Sequence, residues 1–131
     1  MGLALAQIVA PKYRVAYVDP HFAERFTALP KEAQRRVLEL LGDVANRSPT
    51  LGKPCGYQAA TGNLGDCRKI YFDTEADVEP RYRLIYRVLP DETNPVIIEV
   101  ITVGLKFTED AEGNRNSIYV RVGELLDRLS D

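Results

Sequence analysis

The sequence predicts an α+β domain whose elements follow the order β-α-α-β-β-β-α, and two observations carry this prediction. The first is a helical periodicity of apolar residues across residues 30–47, with charged residues on the opposite face. The second is a set of three segments, rich in β-branched and aromatic residues, that are joined by short turns. Three strands joined so closely pair as an antiparallel meander. With an N-terminal strand they predict a four-stranded, mainly antiparallel sheet that a helical hairpin covers.

The first half of the chain predicts one strand and two helices. Tyr13 to Val18 suits a short strand, and Asp19-Pro20 ends it, because proline biases the residue before it away from the helical region. Apolar spacing predicts a short helix over His21 to Leu29. A second helix starts at Leu29-Pro30, with the proline in its first turn, and runs to about Arg47.

The second half of the chain predicts the meander and a final helix. Two segments predict loops: Ser48 to Asp66, which holds two prolines and four glycines, and the polar stretch from Phe107 to Asn116. Ser117 is placed to cap a last helix that extends through Leu129. The three strands of the meander are predicted over Asp66 to Asp73, Tyr82 to Leu89 and Val96 to Gly104.

The length and composition restrict the class of protein. The 131 residues predict a single domain over residues 1–131, and a composition with 45% hydrophobic and 27% charged residues excludes a disordered or collagen-like chain. No apolar run approaches the ~18–20 residues of a membrane-spanning helix. The net charge of −2 disfavours a uniformly cationic nucleic-acid binder, although it leaves room for a local basic groove.

The cysteines and the start of the chain indicate a cytoplasmic protein. Cys55 and Cys67 are the only cysteines and His21 is the only histidine, too few for a disulfide framework or a zinc site. We therefore expect two reduced thiols and no metal. We expect residues 1–12 to be a frayed or strand-forming leader, because they lack the basic beginning of a secretory signal.

Cationic side chains recur on the predicted strands. Lys69, Arg83 and Arg87 occupy alternating positions that can share one face of the sheet. An unpaired charge is costly to bury, so we expect this face to be a groove open to water. The alternative is that these cations form ion pairs with carboxylates such as Glu99 and Asp73. A groove suited to an anionic backbone and a stackable base would combine Lys69, Tyr71, Arg83, Lys106 and Tyr119.

From Tyr13 to Leu129, the chain carries short motifs whose order resembles that of the RelE/ParE toxin superfamily of bacterial toxin–antitoxin systems. The strand Tyr82-Arg83-Leu84-Ile85-Tyr86 is the most telling of them. The others are Phe26-x-x-Leu29-Pro30, Leu51-Gly52-Lys53-Pro54, Cys67-Arg68-Lys69-Ile70, Val103-Gly104-Leu105-Lys106, Ile118-Tyr119 and Arg128-Leu129.

The resemblance implies a helical hairpin on a curved antiparallel sheet and a toxin that an antitoxin silences. RelE-like members enter the ribosomal A site and cut mRNA with no metal or cofactor, whereas ParE-like members inhibit DNA gyrase. The leading hypothesis is therefore a ribosome-dependent mRNA endonuclease. The alternatives are a ParE-like gyrase inhibitor without nuclease activity and an inactive toxin-fold binding module.

The RelE-like motif carries over onto four candidate catalytic residues, Lys69, Arg83, Lys106 and Tyr119. Arg83 would clamp the phosphorane, because a guanidinium binds phosphate through two nitrogens. Lys69 would stabilise charge or act as the base, Lys106 would contact the scissile phosphate or assist the leaving oxygen, and Tyr119 would stack on a base or orient the 2′-OH. The candidate RNA-binding residues are Arg68, Tyr71 and Arg87.

The sequence also departs from the RelE-like pattern. Tyr71 stands where these toxins place a second basic residue, and Lys106 stands where they often carry arginine. The segment from Phe107 to Asn116 is longer than the usual link and contains Glu109, Asp110 and Glu112.

Overall fold

The computed structural model describes residues 12–128, so the predicted leader lies outside the described residues except for Lys12. The helices are α1 (Phe22–Thr27), α2 (Lys31–Asn46) and α3 (Ile118–Leu125). The strands are β1 (Arg14–Tyr17), β2 (Lys53–Pro54), β3 (Tyr57–Gln58), β4 (Gly62–Asn63), β5 (Cys67–Phe72), β6 (Tyr82–Leu89), β7 (Ile97–Leu105), β8 (Phe107–Glu109) and β9 (Arg115–Ser117). No helix in this part of the chain is long and apolar enough to cross a membrane.

The central sheet contains five strands in the order β1-β7-β6-β5-β2. β1 runs parallel to β7, and the other pairs are antiparallel, so the predicted meander and N-terminal strand are confirmed. The prediction of four strands is wrong, because β2 adds a fifth at the edge, where Lys53 pairs with Lys69. Both predicted loops also contain short hairpins, β3–β4 and β8–β9. Strands of two or three residues carry too little periodicity to be recognised in a sequence.

The two faces of β6 belong to two separate layers. Its alternate residues Tyr82, Leu84, Tyr86 and Val88 pack with α1 and α2 in the larger core cluster, as the alternation predicts. On the opposite face, Ile85 is buried with Ile101 of β7 and with Ile118 and Val122 of α3. The expectation that this second face is an open groove is wrong at its centre, because α3 covers it.

The helix ends follow local hydrogen bonds. Ser117 caps α3 as predicted, since its Oγ accepts from the Tyr119 backbone N–H at 3.1 Å. α3 ends at Leu125, before the predicted Leu129, which lies outside the described residues. A Schellman motif ends it: Asp127 adopts a φ of 56°, and the Arg128 N–H donates to the Gly123 carbonyl at 2.7 Å. Pro30 is the N-cap of α2 rather than a residue of its first turn.

Tyr86 ties the segment before β2 to the sheet. Its hydroxyl accepts from the Gly52 N–H at 2.9 Å and donates to the Pro49 carbonyl at 2.7 Å, and its side chain is fully buried. A Cβ at Gly52 would lie 3.0 Å from both the Lys69 carbonyl oxygen and the Tyr86 ring, so only glycine allows this close approach. This contact places Lys53 beside Lys69.

We predict that Tyr86→Phe lowers the free energy of unfolding by about 1–3 kcal/mol, because it leaves the buried Gly52 N–H without an acceptor. Urea unfolding measures this loss. The matched control is Tyr57→Phe, at a residue that is 66% exposed, which should change stability by less than about 0.5 kcal/mol. Equal stabilities for the two variants would contradict the role assigned to the Tyr86 hydroxyl.

Candidate functional site

Arg83 is the fixed centre of the candidate site. It lies on β6, is only 5% exposed, and its Nε donates to the Tyr119 hydroxyl at 3.1 Å. Its Nη1 donates to the carbonyls of Pro80 and Tyr82, both at 2.9 Å, and its Cζ lies 3.9 Å from the centre of the Tyr71 ring. These partners are all neutral, so they hold the guanidinium in place and leave its positive charge uncompensated.

Two lysines lie next to Arg83 around the same tyrosines. Lys69 Nζ is 5.5 Å from the centre of the Tyr119 ring and 5.7 Å from that of Tyr71. Lys53 Nζ is 5.2 Å from the Tyr71 ring centre. Tyr71 is therefore in cation–π contact with three cations, which aromatic rings attract through their quadrupole. Because the Tyr71 ring is neutral, it holds these three cations close together and leaves their charge uncompensated.

Tyr119 is positioned to donate a proton in a hydrogen bond. Burial raises the pKa of its hydroxyl, against the lowering effect of Arg83 and Lys69, so the phenol is neutral near pH 7. Its oxygen already accepts from Arg83, and its hydrogen can therefore point to a bound anion. Tyr119 lies in the first turn of α3, two residues after the Ser117 cap.

Lys106 lies at a junction of three elements. Its backbone N–H donates to the Arg81 carbonyl at 2.8 Å, and its carbonyl accepts from the Ile118 N–H at 2.9 Å. The start of β6, the end of β7 and the start of α3 are thus joined at this residue. Its Nζ lies 5.0 Å from the centre of the Phe107 ring.

The four predicted catalytic residues line two clefts between them, apart from a third of about 410 Å³ that Lys69 also lines with Lys53 and Tyr71. One of about 190 Å³, the tyrosine cleft, is lined in part by Tyr57, Leu64, Lys69 and Tyr119. The other, of about 360 Å³, is the hairpin cleft, lined in part by Arg83, Lys106, Phe107 and Arg115. The Arg83–Tyr119 hydrogen bond joins a residue of each cleft.

The candidate RNA-binding arginines Arg68 and Arg87 are in ion pairs. Arg68 donates from Nε and Nη2 to the two oxygens of Glu92, at 2.7 and 2.8 Å. Arg87 contacts Glu99 at 2.5 Å and Asp66 at 3.2 Å. The alternative that strand cations form ion pairs with carboxylates therefore holds for Arg68 and Arg87. Their contact with RNA stays a prediction.

The cations around Arg83 differ from these arginines. Within residues 12–128, no carboxylate oxygen lies within 4.0 Å of their charged nitrogens. These uncompensated cations are Lys53, Lys69, Arg83, Lys106 and Arg115. We call this set the basic face. An anion that binds there meets positive charge that no protein carboxylate has already neutralised.

Three residues beside the site were not among the predicted site residues. Lys53 belongs to a motif of the resemblance, but only its pairing with Lys69 brings it to the site. Phe107 and Arg115 lie in the segment predicted as a loop, and the Arg115 guanidinium lies 3.6 Å from the centre of the Phe107 ring. Nothing in the sequence indicates that Phe107 and Arg115 are neighbours, because only the pairing of β8 with β9 brings them together.

The other reactive side chains do not form a site. Cys55 directly follows β2 and lies beside Cys67, the first residue of β5, with the Cys55 N–H donating to the Cys67 carbonyl at 2.8 Å. Burial raises the pKa of their thiols to about 11 and about 12, so both stay protonated near pH 7. His21 is exposed and lies 3.5 Å from Glu24. In the part of the chain that the structure describes, no group of three His, Cys, Asp or Glu side chains could hold a metal ion.

No protein-family model and no curated protein sequence matches the chain. Among solved structures, the chain is similar to the toxin–antitoxin complex RelBE2 from Mycobacterium tuberculosis, with 19% sequence identity, coverage of 74% of this chain and 93% of that chain, and a TM-score of 0.49. It is also similar to a mutant of the E. coli toxin RelE in the free state, with 20% identity, coverage of 91% of this chain and 95% of that chain, and a TM-score of 0.48.

Asp66 holds the end of α3 against the sheet. Its two oxygens accept from Arg128 at 2.8 and 2.9 Å, and Arg87 of β6 donates to the same carboxylate. The hydrogen bonds from Arg128 are the main cause that lowers the pKa of Asp66 to about 2. The contact fixes one end of the helix that carries Tyr119 at its other end.

We predict that the Asp66 contact stabilises the fold above about pH 4 and is lost as the pH falls towards 2. The sign follows from a folded pKa of about 2, below the ordinary value of 3.8, which favours the folded state wherever the carboxylate is ionised. Since the side chain is 47% exposed, the effect should not exceed about 1 kcal/mol. Urea unfolding of Asp66→Asn between pH 7 and pH 2 should show a shallower pH dependence than the parent.

The matched control is Asp77→Asn, which changes an exposed aspartate of the turn between β5 and β6. It should retain the parent's pH dependence. If Asp66→Asn kept the parent's pH dependence of unfolding, the stabilising role assigned to the Asp66 carboxylate would be contradicted.

Proposed function

We propose that this protein is the toxin of a toxin–antitoxin system and that it cuts mRNA on the ribosome without a metal ion. The observation that carries the proposal is Arg83, a buried guanidinium held by neutral partners and surrounded by the uncompensated cations of the basic face. A preorganised positive charge of this kind stabilises the charge that develops on a phosphate in the transition state. RNA supplies both that phosphate and, in its 2′-OH, an internal nucleophile.

The positions of the side chains fit the three tasks of metal-free cleavage. The 2′-oxygen attacks the adjacent phosphorus and transfers its proton to a base, for which Lys69, in its unprotonated form, lies on the side of the tyrosine cleft. Arg83 and the Tyr119 hydroxyl hydrogen-bond to the pentacoordinate phosphorane. The bond from phosphorus to the 5′-oxygen breaks, and this oxygen takes a proton from the Lys106 ammonium on the side of the hairpin cleft. The products are a 2′,3′-cyclic phosphate and a 5′-hydroxyl.

The charge distribution supports an RNA substrate in spite of the acidic composition. The chain has a net charge of −2, but most arginines outside the basic face are neutralised by ion pairs, such as Arg68 with Glu92 and Arg81 with Asp73. The basic face therefore carries a positive potential of its own. Binding through such cations should weaken as salt rises, because phosphate binding releases counterions.

A binding module without catalysis is the second candidate, and the burial of Arg83 favours it. On this second reading the Arg83 guanidinium, which is 5% exposed and bonded to Tyr119 and to two backbone carbonyls, fixes α3 on the sheet and does not contact a phosphate. In that case the basic face would bind an acidic partner and cut nothing. The ParE-like alternative, inhibition of DNA gyrase, is separated from both candidates by the same experiment.

We predict that expression of the protein arrests growth and produces new 5′ ends in mRNA near the ribosomal A site. Lys69→Gln and Tyr119→Phe should each lower the cleavage rate by about 100-fold or more, because each removes a group that acts on the reacting atoms. Primer extension on programmed ribosomes measures the cleavage. Urea unfolding checks that both variants remain folded.

The control variant is Lys31→Gln, which removes an equal charge at the exposed start of α2 and should leave cleavage unchanged. Growth arrest with intact mRNA and blocked gyrase supercoiling would select the ParE-like alternative. A folded protein that neither arrests growth nor cuts mRNA would select the binding module.

A further inference from the structure

The hairpin cleft contains an aromatic platform that the catalytic proposal does not use. Phe107 begins β8 and Arg115 begins β9, and the guanidinium stacks on the ring with 3.6 Å between Cζ and the ring centre. The Phe107 residue nevertheless remains 37% exposed, so part of this stack is open to a ligand. An exposed aromatic ring beside unpaired cations is the combination that single-stranded nucleic acids bind.

We propose that the hairpin cleft binds one nucleotide of the RNA, with its base stacked on the Phe107–Arg115 pair. This inference rests on the proposed function and adds the nucleotide on the 3′ side of the cut. Arg83 lines the cleft, and Lys106 would protonate the leaving 5′-oxygen there, so the nucleotide that carries this oxygen enters the hairpin cleft. The cleft volume of about 360 Å³ lies within the ~300–1,000 Å³ range of small-ligand sites.

The β8–β9 hairpin holds the platform in place before a ligand arrives. Phe107 pairs with Ser117 and Glu109 with Arg115, which makes Phe107 and Arg115 diagonal neighbours on the hairpin. At the tip, the Asp110 carboxylate accepts from the backbone N–H of Glu112 at 3.0 Å and of Asn114 at 2.8 Å. A platform that is already ordered loses little conformational entropy on binding.

The charges of the cleft favour a nucleotide over a neutral apolar ligand. Arg83, Lys106 and Arg115 line it and have no carboxylate within 4.0 Å in the described residues, whereas Glu79 is the one acidic residue among those that line it. Arg81 also lines the cleft, but Asp73 neutralises it through two hydrogen bonds at 2.9 and 2.8 Å. The cleft therefore offers net positive charge for a phosphate beside a flat surface for a base.

The test measures binding of a fluorescein-labelled, 2′-fluoro single-stranded RNA hexamer, which cannot be cut because it lacks the 2′-OH. Fluorescence anisotropy should show that Phe107→Leu, which keeps an apolar side chain but no ring, raises the Kd roughly 5- to 150-fold. Phe107→Tyr keeps the ring and should stay within about twofold of the parent. Arg115→Gln should weaken binding and reduce the salt slope by about 1.

The control is Val96→Ala, which shortens an exposed apolar residue before β7, far along that strand from Lys106. It should bind RNA as the parent does. Parental affinity in Phe107→Leu, combined with weakened binding in Lys69→Gln, would overturn the nucleotide site and leave the proposed function standing. A parent protein that does not bind the hexamer would overturn the nucleotide site, whereas the proposed function is decided separately by cleavage on programmed ribosomes.

Discussion

The hydrogen bond between Arg83 and Tyr119 is the contact on which the candidate site depends. It joins the central strand β6 to the first turn of α3, and it links Arg83 of the hairpin cleft to Tyr119 of the tyrosine cleft. Its geometry requires both core layers: α1 and α2 fix one face of β6, and Ile118 and Val122 press α3 onto the other. Because protein interiors are close-packed, a shift of either layer would move Tyr119 away from Arg83.

The fold sorts its charges into compensated and uncompensated groups. Arg68 and Arg87 lie on strand β5 and strand β6 as Lys69 and Arg83 do, yet each meets a carboxylate from a neighbouring element. Around Arg83 the neighbours are tyrosines and backbone carbonyls instead, which keep a cation in position without cancelling its charge. An acidic protein can in this way carry a face that attracts an anion, and the net charge of −2 gives no indication of it.

The β8–β9 hairpin changes what the site can bind. The hairpin places Phe107 and Arg115 beside Lys106, and these residues form one wall of the hairpin cleft. The backbone of Lys106 bonds to both Arg81 and Ile118, so this wall has a fixed position relative to Arg83. The long segment from Phe107 to Asn116 is thus a structural element with a surface of its own.

The sequence alone determined the larger elements and the residue types of the site. The periodicity of α2 and the alternation along β6 depend on local spacing, and the resemblance brought Lys69, Arg83, Lys106 and Tyr119 into one hypothesis. Only the tertiary structure decided which cations stay unpaired, that Lys53 joins them, and that Phe107 and Arg115 form a platform. These facts depend on pairings between residues that are distant in the chain, and side-chain charge and burial are set by such neighbours rather than by local sequence.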